Sequence, residues 1–157
     1  MGKKEEFMRE AIRLSMAGVK NNQGGPFGAV IVKNGKIIGK GNNQVTSTND
    51  PTAHAEVVAI RDACKNLKSF QLNGCEIYTS CEPCPMCLGA IYWARPSKIF
   101  YACTKKDASD AAFDDSFIYQ EMNLPVNKRK IPTLQILRKE ALDVYSTWKE
   151  KEDKISY

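Results

Sequence analysis

The spacing of apolar residues changes along the chain, and each spacing predicts a different kind of element. Apolar side chains recur at helical spacing from residue 7 to residue 19 and predict an amphipathic helix that ends at Asn21-Asn22. Two apolar runs, residues 27–33 and 36–41, flank Asn34-Gly35 and predict a β-hairpin with a two-residue turn. On this pattern the chain begins with one helix, which two antiparallel strands follow.

The rest of the chain predicts crossover elements instead of further hairpins. After a polar loop at residues 42–49, Asp50-Pro51 supplies a helix cap and a proline suited to the first helical position, so a helix is predicted to about Leu67. A second helix, rich in cysteine, is predicted to have Pro83 at its first helical position and to end at Arg95-Pro96. Further strands are predicted at residues 76–80, 98–102 and 134–138, and a terminal helix is predicted at 141–152.

The order of these elements predicts the fold class. A hairpin combined with crossover connections implies a mixed five-stranded sheet with helices on both faces, a three-layer α/β/α fold. A length of 157 residues fits one domain, residues 1–157, with a C-terminal helix and tail from about 141 to 157. Residues 103–132 predict only a short helix and a turn around Phe113-Asp114-Asp115.

Composition and charge indicate the cellular compartment of the protein and the kinds of partner it is expected to bind. The net charge of +5 is spread over scattered Lys and Arg side chains, so it does not require a polyanion and no nucleic-acid partner is expected. No apolar run is long enough to cross a bilayer and no apolar signal segment opens the chain, which predicts a cytoplasmic protein without a membrane partner. The six cysteines are therefore expected to be reduced and to serve metal binding or catalysis.

Three cysteines and the only histidine form the strongest candidate for chemistry. Cys84 and Cys87 are three positions apart at the start of the cysteine-rich helix, and His54 precedes them in T-A-H-A-E. Residues at that helical spacing share a face and can bind one ion. Three ligands leave one tetrahedral position for water, which is typical of a catalytic zinc site, and Glu56 can then accept a proton from that water.

A structural zinc site is the alternative to a catalytic one. Cys81 together with Cys84, Cys87 and His54 would supply four ligands and close the coordination shell. However, Cys81 lies before the predicted helix, at the end of a strand, and a structural site gives no reason for an acid two residues after the histidine. A non-catalytic zinc-binding module would differ from an enzyme in having no water on the metal.

The two motifs resemble those of the zinc-dependent nucleobase and nucleoside deaminases. The family pattern is H-A-E, here residues 54–56, followed by P-C-x-x-C, here residues 83–87. The resemblance implies the cytidine-deaminase-like fold and one Zn²⁺ per subunit. It also implies that a zinc-bound hydroxide attacks the ring carbon bearing the amino group while Glu56 shuttles the proton.

Longer stretches resemble the bacterial guanine deaminases within that family. They are G-G-P-F-G-A-V at 24–30, N-D-P-T-A-H-A-E at 49–56, C-E-P-C-P-M-C-L-G-A-I-Y-W-A-R at 81–95 and F-D-D-S-F-I-Y at 113–119. The resemblance implies conversion of guanine and water to xanthine and ammonia. The alternatives are a tRNA adenosine deaminase, which shares the zinc motifs but usually lacks F-D-D-S-F and the terminal tail, or another nucleobase or nucleoside deaminase.

The same resemblance implies a set of purine contacts. Asp115 would accept a hydrogen bond from the ring N–H of guanine, Asn43 would hydrogen-bond the purine, and Phe27 would stack on it. Ala55 would complete the contacts from this subunit. Each side chain also has an ordinary role open to it, because aspartate and asparagine are common in turns and an aromatic residue is common in a buried strand.

The resemblance also implies a partner subunit. In guanine deaminases of this type the C-terminal segment crosses to the other subunit and closes its active site. Tyr157 would then contact the purine held by the partner, and the functional unit would be a domain-swapped homodimer. The ordinary alternative for a terminal residue on a polar tail is fraying.

Overall fold

A computed structural model describes residues 2–157, and the chain divides into two compact units, of which the first ends at Asp115 and the second is Ser116–Tyr157. The single domain expected from chain length stays a prediction. The helices of the first unit are α1 (Lys3–Lys20), α2 (Val45–Thr48), α3 (Ala55–Leu67), α4 (Pro85–Ala94) and α5 (Lys105–Asp110). Its strands are β1 (Gly28–Lys33), β2 (Lys36–Asn42), β3 (Cys75–Cys81) and β4 (Lys98–Cys103).

The sheet of the first unit is mixed and contains four strands in the order β2-β1-β3-β4. Strand β1 is antiparallel to both of its neighbours, and β3 is parallel to β4. The prediction of a fifth strand at 134–138 was wrong, because residues 132–137 have no regular structure and a helix begins at Arg138. A strand needs a neighbour to pair its backbone groups, and Ser116–Tyr157 contains no other strand.

Helices cover both faces of this sheet, which confirms the predicted α/β class. On one face, Val30, Val32 and Tyr78 pack against Phe7 and Met8 of α1. The other face is formed by Ala29, Ile31 and Ile77, with small side chains of α3 (Ala55, Ala59, Ala63) and with Ile91 and Ala94 of α4. Because side chains alternate along a strand, successive residues of β1 enter opposite layers.

The hairpin depends on residues that are close together in the sequence, and it was predicted correctly. Lys33 pairs with Lys36, and both residues between them have positive φ angles, 50° at Asn34 and 72° at Gly35. Those angles are the ones a two-residue type I′ turn requires, and Asn-Gly adopts them at little cost. The register shifts once, between Ile31 and Val32, where a bulge interrupts the ladder.

Helix α3 begins at Ala55, later than the predicted start at Asp50-Pro51. The carboxylate of Asp50 does not cap a helix; it accepts hydrogen bonds from the backbone N–H (2.8 Å) and the hydroxyl (2.6 Å) of Thr52. This local turn satisfies the aspartate within two residues and places His54 at the N-cap of α3. The predicted loop before it contains the short helix α2, whereas the predicted end at Leu67 was correct.

Helix α4 begins two residues later than predicted. Pro85, not Pro83, occupies the first helical position, and Cys84 is the N-cap. The helix ends as predicted, at Ala94, because Arg95 adopts a left-handed conformation (φ 57°) before Pro96. Cys84 and Cys87 are therefore the N-cap residue and a residue of the first turn.

The second unit contains two helices and a turn of 3-10 helix, with no buried residue in Ser116–Tyr157. The helices are α6 (Ser116–Asn123) and α7 (Arg138–Glu150), and the 3-10 turn is Val126–Lys128. Several large apolar side chains are well exposed, among them Leu134 (85%) and Ile136 (78%). Across residues 2–157, no helix has the length and apolar character needed to span a membrane.

Candidate metal centre

The N-termini of α3 and α4 bring the three predicted ligands together. His54 is the N-cap residue of α3, Cys84 is the N-cap residue of α4, and Cys87 lies in the first turn of α4. Both helices pack on the same face of the sheet, in the layer that includes Ala55 and Ile91. His54, Cys84 and Cys87 form one cluster, and their candidate ligand atoms all lie within 4.8 Å of one another.

The distances within this cluster fit a tetrahedral zinc site. The Nδ1 atom of His54 lies 3.5 Å from the Sγ atom of Cys84 and 3.5 Å from the Sγ atom of Cys87. Zinc–nitrogen and zinc–sulfur bonds of about 2.0–2.1 Å and 2.3 Å, at tetrahedral angles, separate the two ligand atoms by about 3.5 Å. Two thiols and one imidazole are also a donor set that suits zinc. The residues present therefore fit the ion.

Cys81 does not belong to this cluster. It is buried at the end of β3, and its Sγ atom lies 3.5 Å from the carbonyl oxygen of Thr104. Burial raises the pKa of the Cys81 thiol to about 11, so the neutral thiol is favoured. The four-ligand alternative considered from the sequence thus lacks its fourth ligand.

The electrostatics of the cluster favour thiolate at the N-terminus of α4. The backbone N–H of Cys87 points to the Sγ atom of Cys84 at 3.5 Å, and the positive end of a helix dipole favours an anion there. The neighbouring Cys87 thiol lowers the pKa of Cys84 to about 4, with a further contribution from His54. The same contact, together with burial, raises the pKa of Cys87. A hydrogen bond with Cys84 raises the pKa of His54.

Glu56 places a buried carboxyl group directly beside the cluster. It is the second residue of α3 and only 5% exposed. Its Oε2 atom accepts a hydrogen bond from the Cys87 thiol at 3.3 Å, and its Oε1 atom accepts one from the Thr79 hydroxyl at 3.2 Å. Burial raises the pKa of Glu56 above its ordinary value. A carboxyl group of this kind can hold and release a proton next to a metal ligand.

Asn43 is fixed in one orientation by the backbone around it. Its Oδ1 atom accepts hydrogen bonds from the backbone N–H groups of Gly25 (3.2 Å) and Val45 (3.1 Å). A Cβ atom at Gly24 would lie 2.2 Å from that oxygen, so only glycine allows the approach. Asn43 thus has the turn role foreseen as its alternative. Within residues 2–157 its Nδ2 atom donates to no protein group, so Asn43 offers a donor to a ligand.

The remaining predicted purine contacts lie at different places. Phe27 is half-buried just before β1 and packs edge-on against Phe113, with ring centroids 5.0 Å apart. Burial raises the pKa of Asp115, and the negative charge of Cys84 raises it further. The charge of the cluster therefore acts on this carboxyl group. Ala55 is buried at the start of α3. Tyr157 is an exposed residue of the second unit, and its contact with a purine stays a prediction.

Thr79 and Phe113 are neighbours of the site that the motifs did not indicate as functional. Thr79 is a polar residue inside a strand that is otherwise buried, and that polarity was the only signal available. Phe113 lay within a predicted turn, where no pattern indicates which aromatic ring it meets. Both contacts join residues far apart in sequence, Thr79 with Glu56 and Phe113 with Phe27.

A histidine and two cysteines at paired helix ends, with a buried carboxyl group beside them, define the zinc-dependent deaminase class. Residues 1–103 match the profile of the cytidine and deoxycytidylate deaminase zinc-binding region. Because this match covers most of the chain, the protein belongs to that family. The predicted family and the predicted fold, apart from its strand number, are therefore confirmed.

Known relatives place the chain more closely within the family. It is 56% identical to guanine deaminase from Bacillus subtilis (strain 168) over 98% of both chains. The crystal structure of guanine deaminase from Bacillus subtilis superposes with a TM-score of 0.95, again over 98% of both chains. A tRNA-specific adenosine deaminase from Aquifex aeolicus is 42% identical over 66% of this chain and 68% of its own.

Proposed function

We propose that this protein catalyses the hydrolytic deamination of guanine to xanthine and ammonia. The observation that carries the proposal is the His54, Cys84 and Cys87 cluster with the Glu56 carboxyl group 3.3 Å from Cys87 Sγ. That arrangement occurs in a chain whose similarity to a guanine deaminase extends over 98% of both proteins. The cluster supports the reaction type, and the near full-length similarity supports the choice of base.

His54, Cys84 and Cys87 would hold one zinc ion per subunit. When bound, zinc lowers the pKa of a water molecule toward about 7 and so supplies a nucleophile at neutral pH. The N-termini of α3 and α4 stabilise the thiolate form of the ligands through their free N–H groups and helix dipoles. The protein thus orients its ligands with backbone that is already fixed by the sheet.

Glu56 would carry the proton between water and purine. Its carboxyl group would take a proton from the attacking water and give it to a ring nitrogen of guanine. It would then take the proton of the newly added hydroxyl group and give it to the departing amine, which leaves as ammonia. Burial favours the protonated form of Glu56, so the group can retain the proton between these steps. Because only 5% of Glu56 is exposed, bulk water has little access to exchange that proton.

Asn43 and Asp115 would select the purine. The Oδ1 atom of Asn43 is occupied by two backbone N–H groups, so its Nδ2 atom would donate to a ring nitrogen or carbonyl oxygen of the base. Asp115 would accept a hydrogen bond from the N–H of the six-membered ring of guanine, a donor that adenine lacks. A site that leaves a polar group unpaired rejects the wrong substrate strongly. Phe27 and Ala55 would provide apolar contacts to the base.

A homodimer with exchanged C-terminal segments would complete the site. The exposed apolar side chains of Ser116–Tyr157, such as Leu134 and Ile136, need cover, since soluble proteins rarely leave large apolar patches in water. The exposed rings of Tyr92 and Trp93 on α4 offer a second apolar surface. In the proposed dimer, Tyr157 of each chain reaches the purine site of its partner.

A tRNA adenosine deaminase is the second candidate, and it is favoured by the shared zinc motifs. The relative from Aquifex aeolicus matches only 66% of this chain at lower identity than the guanine deaminase. A site closed by the tail of a partner subunit would exclude a polynucleotide but admit a free base. The higher identity and coverage therefore favour guanine as the substrate.

An assay of ammonia release decides between these candidates. The purified zinc-loaded protein is incubated separately with guanine, guanosine, adenine, cytosine, cytidine and a tRNA anticodon stem. We expect turnover of guanine, with loss of activity after chelation and recovery after zinc is added back. Conversion of the tRNA stem without conversion of guanine would overturn the proposal, as would guanine turnover that survives complete removal of the metal.

A further inference from the structure

A buried hydroxyl group contacts the carboxyl group of Glu56 from the sheet. Thr79, only 1% exposed, lies near the end of β3 and follows Ile77 by two positions, so both side chains project toward α3. Its Oγ1 atom lies 3.2 Å from Glu56 Oε1 and 3.0 Å from the carbonyl oxygen of Cys81. Thr79 therefore connects the proton-carrying residue of α3 to the strand that precedes the cysteines.

The two partners of this hydroxyl make different demands on it. A hydroxyl group has one proton to donate and two lone pairs that accept. The carbonyl oxygen of Cys81 only accepts, whereas the carboxyl group of Glu56 accepts when ionised and donates when it carries a proton. Rotation of the Thr79 hydroxyl thus preserves the contact with Oε1 as a proton moves onto or off Glu56. A valine at this position would have nearly the same shape but would form neither the hydrogen bond to Glu56 nor the one to the Cys81 carbonyl oxygen.

The other carboxyl oxygen of Glu56 faces the metal centre. Oε2 lies 3.3 Å from the Sγ atom of Cys87, and no side chain besides Thr79 and Cys87 hydrogen-bonds to Glu56 within residues 2–157. Once the Cys87 thiol is a metal-bound thiolate it has no proton to donate. Thr79 is then the side chain that remains to fix the plane of the carboxyl group.

We propose that Thr79 is a positioning residue, whose hydroxyl group fixes the Glu56 carboxyl group so that Oε2 faces the ligand cluster and the substrate. The inference rests on the proposed function, since Glu56 carries the proton only if the protein is a deaminase. The plainer view is that Thr79 is a buried hydroxyl satisfied by the Cys81 carbonyl oxygen. The two views differ in what removal of the hydroxyl does to the rate of the chemical step.

The test compares Thr79→Val, which removes the hydroxyl, with Thr79→Ser, which retains it. We expect Thr79→Val to lower kcat for guanine about 10- to 100-fold with zinc content unchanged, since a misplaced catalytic group costs rate and not metal. We expect KM to stay within about 3-fold, because ground-state binding does not involve Thr79. Thr79→Ser should keep kcat within about 3-fold of the native enzyme, because the donor and acceptor remain.

Ser80→Ala provides a matched control on the same strand. The Ser80 hydroxyl accepts a hydrogen bond from the Gly28 N–H at 3.0 Å and, as the next residue along β3, projects from the opposite face. Its removal should lower the melting temperature but keep kcat within about 3-fold, since a buried hydrogen bond is lost away from Glu56. A crystal structure of zinc-loaded Thr79→Val should show the Glu56 carboxyl group rotated away from residue 79.

Each contrary result overturns the inference. The inference fails if kcat is unchanged in Thr79→Val, or if Thr79→Ser loses as much kcat as Thr79→Val. It also fails if Thr79→Val loses enough zinc to account for its lower kcat, or if its crystal structure shows the Glu56 carboxyl group in the native position. If Thr79→Val does not fold, Thr79→Ala takes its place under the same criteria. If the native zinc-loaded enzyme does not deaminate guanine, the proposed function fails, and the position of Glu56 in the crystal structure alone decides the role of Thr79.

Discussion

The two compact units of the chain bury their apolar side chains to very different extents. In the first unit, Ile31 and Ile77 are completely buried in a layer closed by helices α3 and α4. In the second unit, Ile136 and Leu134 are among the most exposed side chains of the protein. The first unit therefore holds its own core and the candidate metal centre, whereas the second buries none of its apolar side chains.

The difference separates two tasks. The predicted ligands and Glu56 lie on helix ends that pack against a sheet, and a rigid support of this kind would keep a catalytic group in place. Ser116–Tyr157 contains helices without a buried residue, and in the proposed dimer packing on the partner would contribute most of their stability. The experiments below ask whether the chemistry belongs to the first unit and whether the second acts through a partner subunit.

Removal of the proton carrier should have the largest effect. We expect Glu56→Gln to lower kcat by about 10³-fold or more, because general acid–base catalysis contributes about 10²–10⁴-fold and a glutamine cannot carry the proton. Zinc content, measured by plasma mass spectrometry, should stay at one ion per subunit. Turnover close to that of the native enzyme would remove Glu56 from the mechanism and the chemistry from this part of the first unit.

The two isoleucines provide a matched pair across the two units. We expect Ile31→Ala to lower the free energy of unfolding by about 2–5 kcal/mol, because a fully buried side chain leaves a cavity. Ile136→Ala at 78% exposure should cost less than about 0.5 kcal/mol in an isolated monomer. We expect it instead to destabilise the protein more at low protein concentration and to shift a dimer toward monomer in analytical ultracentrifugation.

A concentration-independent effect of Ile136→Ala, with a single monomeric species throughout, would contradict the proposed dimer. Lys139→Ala serves as the control, since this neighbouring side chain is also exposed but ends in a charged ammonium group. A partner subunit would then not explain why the apolar side chains of the second unit are exposed.

Deletion of Ser156-Tyr157 should have an intermediate effect. We expect kcat/KM for guanine to fall about 10- to 100-fold, because an incompletely closed site admits water and positions the base poorly. Zinc content and melting temperature should change little, since the ligands are all in the first unit. An unchanged kcat/KM would show that the tail does not close the site; Tyr157→Phe tests the hydroxyl separately from the ring.

The smallest effect concerns an ion-pair network inside the first unit. Glu10 of α1 accepts hydrogen bonds from Arg13 (2.7 Å) and from Lys40 of β2 (2.7 Å), and these contacts, despite partial burial, lower the pKa of Glu10 to about 2. A carboxyl group with a lowered pKa stabilises the fold above the pKa of the unfolded chain, about 4.5, and this contribution disappears as pH falls toward about 2.

We therefore expect Glu10→Gln to cost about 1–2 kcal/mol at pH 7, the range of a charged hydrogen bond that is partly exposed to water. The difference from the native protein should shrink between pH 4.5 and pH 2 in denaturant titrations. Asp153→Asn, which breaks the exposed pair with Lys151 in the second unit, should change stability by less than about 0.5 kcal/mol. A pH-independent difference for Glu10→Gln would assign its effect to packing.

Some parts of this protein could be predicted from the sequence because they depend on neighbours along the chain. Asn34-Gly35 adopts positive φ angles without help from distant residues, and the hairpin follows from it. The apolar spacing of α1 and the proline after Arg95 likewise act within a few residues. The P-C-x-x-C spacing places Cys84 and Cys87 within hydrogen-bond reach of each other at the start of one helix.

Errors occurred where a local signal had two possible uses. Asp50-Pro51 can cap a helix, but the Asp50 carboxylate instead closes a turn onto Thr52. The apolar residues near Leu134 alternate as in a strand, but no strand of the second unit lies beside them. Either outcome satisfies the same local preferences, so the choice depends on surroundings that the pattern does not contain.

Local sequence was enough for the hairpin, for the helical spacing of α1, and for the residue types able to hold zinc and move a proton. Three contacts depended on tertiary packing: His54 approaches sulfur atoms thirty or more positions away, Asn43 Oδ1 accepts from the backbone of Gly25, and Thr79 contacts Glu56. These two groups of features differ in how far apart along the chain the interacting residues lie. Turns and helix ends are set by backbone conformation over a few residues, whereas these contacts exist only after α3 and α4 have packed on a common face of the sheet.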